Sequence, residues 1–253
     1  MVTGLRDSQG QALALQPDGK VVLVGYQAAG FSPRIKAAPA LARFRSDGTL
    51  DPSFGVGGKV APPPSQAGDE ALHAVAIERN GRIVTVGAKR EHLAGRPAAL
   101  VIAYRADGSV DGRFGHGGRL LFPARRGAKE YTGFKAVQVL RSGKLLLAGY
   151  RQGRLFLVRL TSIGSVDRSF GGGDGEVTID VGDNSGCVGD CGLASPFVIQ
   201  PGGAILAAAN LSLGSFDLVR LSPDGRLDRG FGHGGAEALP VGESSVALAS
   251  TNG

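Results

Sequence analysis

Apolar residues along this chain fall into runs of strand length, separated by polar turns, and the runs return at a regular interval. Residues 11–16 alternate Ala and Leu, and Pro17-Asp18-Gly19 then supplies the preset φ of proline and the positive φ that Asp-Gly tolerates in a tight turn. A Val-rich run over 20–27 follows, suited to a pleated surface. After a loop at 28–39, a third run at 40–45 reaches a second turn, Ser46-Asp47-Gly48, and a short fourth run occupies 59–62. The same four-run unit recurs at 73–78, 82–90, 98–105 and 119–123, then at 135–140, 144–151, 154–160 and 176–181. Its fourth copy covers 195–200, 204–211, 215–221 and 236–241.

The interval is set by glycines. Those of the first turn, Gly19, Gly81, Gly143 and Gly203, are spaced by 62, 62 and 60 residues. Those of the second turn, Gly48, Gly108, Gly164 and Gly225, are spaced by 60, 56 and 61. Between the third and fourth runs lies a signature, Leu50-Asp51-Pro52-Ser53-Phe54-Gly55-Val56-Gly57-Gly58. It returns with Asp111, Phe114 and Gly115, with Asp167, Phe170 and Gly171, and with Asp228, Phe231 and Gly232. The third copy gains one residue, at Asp174.

A four-strand unit at this period is a propeller blade: each small sheet has two apolar faces that only its neighbours can cover. Runs such as Val21-Val22-Leu23-Val24 and Leu100-Val101-Ile102-Ala103 are apolar on both faces, as a sheet between two others requires. The expected fold is all-β, a propeller-like array of four four-stranded blades plus one extra strand. The repeats cover about 8–69, 70–132, 133–192 and 193–241, with a fifth beginning at 242–253. Residues 246–253 align with the first strand and turn of repeat one, an arrangement expected of a piece of a longer array. The alternative is a four-bladed ring in which that strand completes an edge.

The succession Gln-Pro-Asp-Gly-Lys, a Val-rich strand, Leu-Ala-Arg-Phe and Asp-Gly-Thr-Leu-Asp-Pro-Ser-Phe-Gly-x-Gly-Gly resembles the bacterial delta-60 tandem repeat. That family is regarded as a β-propeller domain of unknown function. The resemblance runs from about Gln11 to Val241 and implies exported or cell-surface bacterial proteins with many repeats; it implies no activity. Pro201-Gly202-Gly203 and Thr161-Ser162-Ile163-Gly164 each lack the turn aspartate.

Composition narrows function by exclusion. Glycine at 42 of 253 residues, without a Gly-X-Y period, favours a turn-rich β fold over collagen. The net charge is +6, but Lys and Arg are spread through every repeat, and the densest cluster is Arg125, Arg126 and Lys129. A solvated surface is the expected reading, with no nucleic-acid partner. No run approaches the ~20 apolar residues of a membrane helix, and residues 1–7 lack a basic head and apolar run, so no signal peptide is read in this chain.

Asp51, Asp111, Asp167 and Asp228 are read as structural, accepting backbone N–H groups of the glycine-rich loop after each. Phe54, Phe114, Phe170 and Phe231 are read as plugs between blades. A strand follows each glycine loop, where a phosphate cradle needs a helix N-terminus. His116 and His233 share one slot of the signature without a third ligand, and read as solvent-facing. His73 and His92 have no partner pattern.

The irregular insert carries Cys187 and Cys191, read as a short disulfide pinching a loop. Asp180, Asp183 and Asp190 there are weak candidate calcium ligands at a spacing unlike an EF-hand; no other cofactor is expected. No catalytic residue is identified, since no Gly-x-Ser-x-Gly or Ser, His and Asp grouping is present. The expected function is a non-enzymatic binding or scaffolding module, meeting a protein or glycan at the variable loops 28–39, 89–97 and 182–192. The alternative is a hydrolase or lyase acting on a polysaccharide or lactone-like substrate near the propeller axis.

Overall fold

A computed structural model of the chain describes residues 8–28, 37–62, 69–90, 97–124, 132–152, 154–179, 197–212 and 215–240. They form sixteen strands in four antiparallel sheets, each a meander in chain order. Blade 1 comprises β1 (Ser8–Leu15), β2 (Val21–Ala28), β3 (Ala37–Phe44) and β4 (Lys59–Val60). Blade 2 comprises β5 (Asp69–Ile77), β6 (Ile83–Arg90), β7 (Ala98–Tyr104) and β8 (Arg119–Pro123). Blade 3 comprises β9 (Thr132–Val139), β10 (Leu145–Arg151), β11 (Arg154–Leu160) and β12 (Glu176–Ile179). Blade 4 comprises β13 (Phe197–Ile199), β14 (Ile205–Ser212), β15 (Ser215–Leu221) and β16 (Ala236–Pro240).

The largest departures from the sequence pattern in blade 1 are at the starts of two strands. β3 begins at Ala37 because β2 runs on to Ala28 and the pairing continues to Ala28↔Ala37. β1 begins at Ser8 because a bulge between Gly10 and Ala12 absorbs Gln11 and keeps the strand paired. Equivalent bulges leave His73 unpaired in β5 and Lys135 unpaired in β9.

The strand period of two divides each sheet between two cores. In blade 2, Ile83, Leu100 and Ile102 face blade 1, while Val84, Val86, Val101 and Ala103 face blade 3. In blade 3, Leu145 and Leu147 join blade 2, while Leu146 and Ala148 join blade 4. Three separate apolar clusters result, one at each junction between successive blades. The first strands of successive blades also touch, β1 against β5 and β5 against β9.

A plug and socket closes each junction at one rim. Phe54, Phe114 and Phe170 are fully buried. Each packs on the second-turn glycine of the following blade: a Cβ on Gly108, Gly164 or Gly225 would lie 3.0, 2.9 or 2.6 Å from the ring of Phe54, Phe114 or Phe170. These glycines also hold φ between +83° and +89°. Gly48 occupies the same turn of blade 1 with φ +83°, yet no heavy atom lies within 4 Å of its Cβ direction.

This pair separates backbone strain from packing. Gly48→Ala and Gly108→Ala carry the same left-handed strain of about 1–2 kcal/mol, and only the second also collides with a buried ring. Chemical denaturation of the dilute protein should show Gly108→Ala less stable than Gly48→Ala by about 1–3 kcal/mol. Equal losses would remove the plug contact as the reason for glycine at the second turn.

Candidate functional site

The meander sorts connections by rim. Turns joining first to second and third to fourth strands lie at one end of every blade; second-to-third connections and crossings between blades lie at the other. The signature therefore occupies the first rim, and its chemistry is an arginine staple.

In blade 1, Arg43 donates from Nε to Asp51 Oδ2 at 2.9 Å and from Nη2 to Ser53 Oγ at 3.0 Å. Its Nη1 crosses to the backbone carbonyl of Ala106 in blade 2 at 2.5 Å, and the guanidinium lies 4.7 Å from the Phe54 ring centroid. Blade 3 repeats the set: Arg159 donates to Asp167 Oδ2 at 2.6 Å, to Ser169 Oγ at 2.9 Å and to the Pro223 carbonyl of blade 4 at 2.7 Å, over Phe170 at 4.7 Å. In blade 4, Arg220 donates to Asp228 Oδ2 at 2.8 Å and lies 4.7 Å from the Phe231 ring centroid.

Blade 2 has Ala103 where the other blades have this arginine, and a different residue does its work. Arg82, which follows the first-turn glycine, reaches Asp111 Oδ2 at 3.6 Å and stands 5.3 Å from the Phe114 ring centroid. It also donates to the Ser162 carbonyl of blade 3, the repeat equivalent of Ala106 and Pro223, and to Glu78 Oε1 at 2.7 Å. Lysine holds the position of Arg82 in blades 1 and 3: Lys20 lies 3.9 Å from Asp51 Oδ2 and Lys144 lies 2.8 Å from Asp167 Oδ2.

Each signature carboxylate is also an Asx turn. Asp51, Asp111, Asp167 and Asp228 accept through Oδ1 from the backbone N–H of Ser53, Arg113, Ser169 and Gly230, at 3.1, 3.3, 3.2 and 3.1 Å. A backbone bond between blades joins the set: Gly55, Gly115 and Gly171 N–H donate to Asp107, Ile163 and Asp224 carbonyls at 2.7, 2.9 and 2.8 Å. In blade 3 the extra residue is absorbed between Gly171 and Asp174, so Gly175 takes the terminal glycine's place and its N–H donates to the Phe170 carbonyl.

Hydrogen bonding from Ser53, opposed by burial and aided by Arg43, holds the Asp51 carboxyl below the usual carboxylate range. Burial acts to raise Asp167, but Lys144, Ser169 and Arg159 together outweigh it and hold the group well below that range. Asp51 and Asp167 are thus stably ionised and saturated with donors, an arrangement that holds a loop and leaves these two groups little basicity for proton transfer. Among the described residues, no three His, Cys, Asp or Glu side chains group closely enough to hold a metal ion.

The remaining candidates are dispersed. His116 and His233 are exposed, with His233 Nδ1 3.0 Å from Glu237 Oε2. His73, at the bulge of β5, places Nδ1 3.1 Å from the Phe134 carbonyl and so ties blade 2 to blade 3. Cys187, Cys191, Asp180, Asp183, Asp190 and His92 lie outside the described residues, as do Arg125, Arg126 and Lys129. A shallow cleft of about 880 Å³ between blades 1 and 2 is lined by Lys59, Val60, Pro62, Tyr104 and Arg119. Burial pushes the Tyr104 hydroxyl far above its ordinary value.

The staple arginines escaped the reading of charge as a solvated surface, although a signal was present. Arg43, Arg159 and Arg220 each stand eight residues before the signature aspartate, and Arg43 is buried.

Two measurements probe the staple. Asp167 ionises below its unfolded value, so it contributes stability at neutral pH that disappears as pH falls through and below about 4. Asp167→Asn should lower the melting temperature at pH 7, and the deficit should close toward about pH 2; a deficit independent of pH would detach the carboxylate charge from stability. Arg82→Ala should cost about 3 kcal/mol by stranding a buried carboxylate, and adding Ala103→Arg should restore most of it. No rescue would mean that Arg82 does not stand in for the missing arginine.

The family comparison agrees with this architecture. Residues 16–54 and 140–170, in repeats one and three, match the family described as "Domain of unknown function (DUF5122) beta-propeller". No curated protein matches the chain. Among solved structures, a catalytically inactive virginiamycin B lyase from Staphylococcus aureus with quinupristin is similar at 10% identity and TM-score 0.47, over 95% of this chain and 58% of that one. A protein of unknown function from Dyadobacter fermentans is similar at 13% identity and TM-score 0.49, over 92% of this chain and 64% of that one. The chain thus spans less than two thirds of either structure. With four meander blades and a recurring Asp–Phe–Gly signature, the chain is an all-β, propeller-like array, and two of its repeats match a β-propeller family of unknown function.

Proposed function

We propose that this propeller is a non-enzymatic binding or scaffolding module of an exported or cell-surface bacterial protein, presenting its variable rim to a protein or glycan. The observation that carries the reading is the division of labour between rims. At the signature rim the connections are nearly constant and locked by the staple. At the opposite rim the second-to-third connection spans 29–36 in blade 1 and 91–97 in blade 2, against 152–153 and 213–214 in blades 3 and 4. The crossings between blades there span 61–68, 124–131 and 180–196.

Two residues suffice to join these strands, so the longer connections are not a requirement of the fold. Length beyond that requirement, on a rigid frame, is where recognition resides in repeat proteins. The composition of these connections suits an extended polar ligand: in sequence they carry Phe31 and Tyr131 together with Arg34, Lys36, Arg96 and Lys129. Aromatic faces stack on sugar rings or side chains, and the cations and amides supply hydrogen bonds.

The test is to shorten 29–36 and 91–97 to two-residue links and to probe glycan and peptide arrays with parent and shortened chains. The melting temperature should stay unchanged while the parent's array binding disappears. A parent that binds nothing on either array, or a shortened chain that binds equally, would overturn the reading.

A further inference from the structure

Turns of nearly constant length give the signature rim an even edge, and all of them lie among the described residues. In blades 2 and 3 the chemistry of these turns changes. The first turn of blade 1 carries Pro17 and Asp18, whereas blades 2 and 3 have Arg79 with Asn80 and Arg141 with Ser142 in those places. A carboxylate is lost and a guanidinium gained each time. In the second turn Asp47, Asp107 and Asp224 stand before the glycine, where blade 3 has Ile163.

Packing does not explain Ile163. Asp47 and Asp107 accept from the backbone N–H of Thr49 and Ser109, each at 2.8 Å, in an Asx turn that blade 3 forgoes. Blade 3 has in its place a bond from Ser165 N–H to Thr161 Oγ1 at 3.1 Å, and the isoleucine side chain is left 62% exposed. The Ile163 carbonyl accepts from Gly115 N–H at 2.9 Å, so this apolar tip stands against the signature of blade 2. Val110 and Val166 add further apolar surface, at 42% and 36% exposed. Most of the large apolar side chains left exposed among the described residues belong to this rim.

The same rim exposes guanidiniums. Arg79, Arg141 and Arg168 are exposed. The side chains of Arg105 and Arg113 share Asp111 Oδ1 at 3.9 and 3.7 Å, beyond hydrogen-bond distance, while Arg82 faces the other oxygen. Among the described residues every exposed cation of this rim is an arginine, the side chain whose planar fork matches phosphate oxygens.

Aliphatic tips set among arginines on an even edge fit a layer of lipid headgroups. A hydrated polysaccharide or a nucleic acid would engage the arginines and leave Ile163, Val110 and Val166 in water. A lipid surface takes both, because peripheral association grows with the apolar area inserted and with attraction to anionic headgroups. We propose that the signature rim of blades 2 and 3 docks peripherally on an anionic lipid surface, with Ile163 entering the headgroup layer and Arg113, Arg141 and Arg168 on its phosphates.

Co-sedimentation of the whole chain with vesicles tests this. Vesicles of equal parts phosphatidylglycerol and phosphatidylcholine should bind the parent, vesicles of phosphatidylcholine alone should not, and added salt should release it. Ile163→Asp restores the aspartate of the other blades, so it should keep the melting temperature and weaken binding about tenfold. Arg141→Gln with Arg168→Gln should weaken it about thirtyfold. Arg125→Gln with Arg126→Gln removes the same charge from the crossing at the opposite rim and should leave binding close to the parent's. Shortening 29–36 and 91–97 should leave it unchanged too, which separates this surface from the variable rim. A parent that stays in the supernatant with the anionic vesicles would overturn the proposal. So would equal losses from the two arginine pairs, which would reduce the binding to net charge, or a loss on shortening the connections. An Ile163→Asp chain that binds like the parent would also overturn it, assigning the arginines to a soluble polyanion.

Discussion

The junction between blades rests on a guanidinium that serves three partners at once. Arg43 neutralises the carboxylate of its own blade, lies on the ring that plugs the junction and donates to a carbonyl of the next blade. Each bond alone would be modest, because a buried ion pair gives up hydration for every contact it gains. Together they make the position of the next sheet a condition for pairing all three nitrogens of the Arg43 guanidinium. A charge within an apolar junction is thereby turned into a device for registry: a sheet shifted along the junction would leave the guanidinium and the carbonyl unmatched.

Blade 2 shows that geometry, and not a particular sequence position, is what the junction requires. With Ala103 in place of the strand arginine, the cation arrives from the hairpin turn as Arg82, and it still finds the carboxylate, the ring and the neighbouring carbonyl. Lysine at that turn position in blades 1 and 3 acts only as a second charge beside the carboxylate. A compact ammonium cannot replace the fork, since planar donors are needed to bridge two blades while covering a ring. The coupling joins residues in different turns of one repeat and ends in the repeat after it.

Much of this was legible in the sequence because a repeat prints its own controls. Strand count, turn positions and the period followed from glycines and alternation, and four sheets in meander order agree with them. The ring that fills each junction was readable from its constancy, while its seat on the next blade's glycine was not, since the partners lie some fifty residues apart in sequence. The arginines were missed because a cation among apolar residues looks like a surface strand position until a carboxylate eight residues later is recognised as its partner. Bulges at Gln11, His73 and Lys135 left no trace in composition, because a bulge is a matter of pairing and not of residue type.

Because alternate residues of each strand serve different junctions, the cooperative unit of this molecule is half of one repeat with half of the next. Whole repeats are then interchangeable in a way that single residues are not. Unequal recombination between repeats, cutting at any matching phase of the period, rejoins two compatible halves and alters only the number of junctions. Gene copies can lengthen or shorten by such steps while keeping every junction matched, whereas a lone change at Gly108 must be answered across the junction by Phe54. An array of this kind therefore accepts a change in the number of its repeats more readily than a lone change within a junction core.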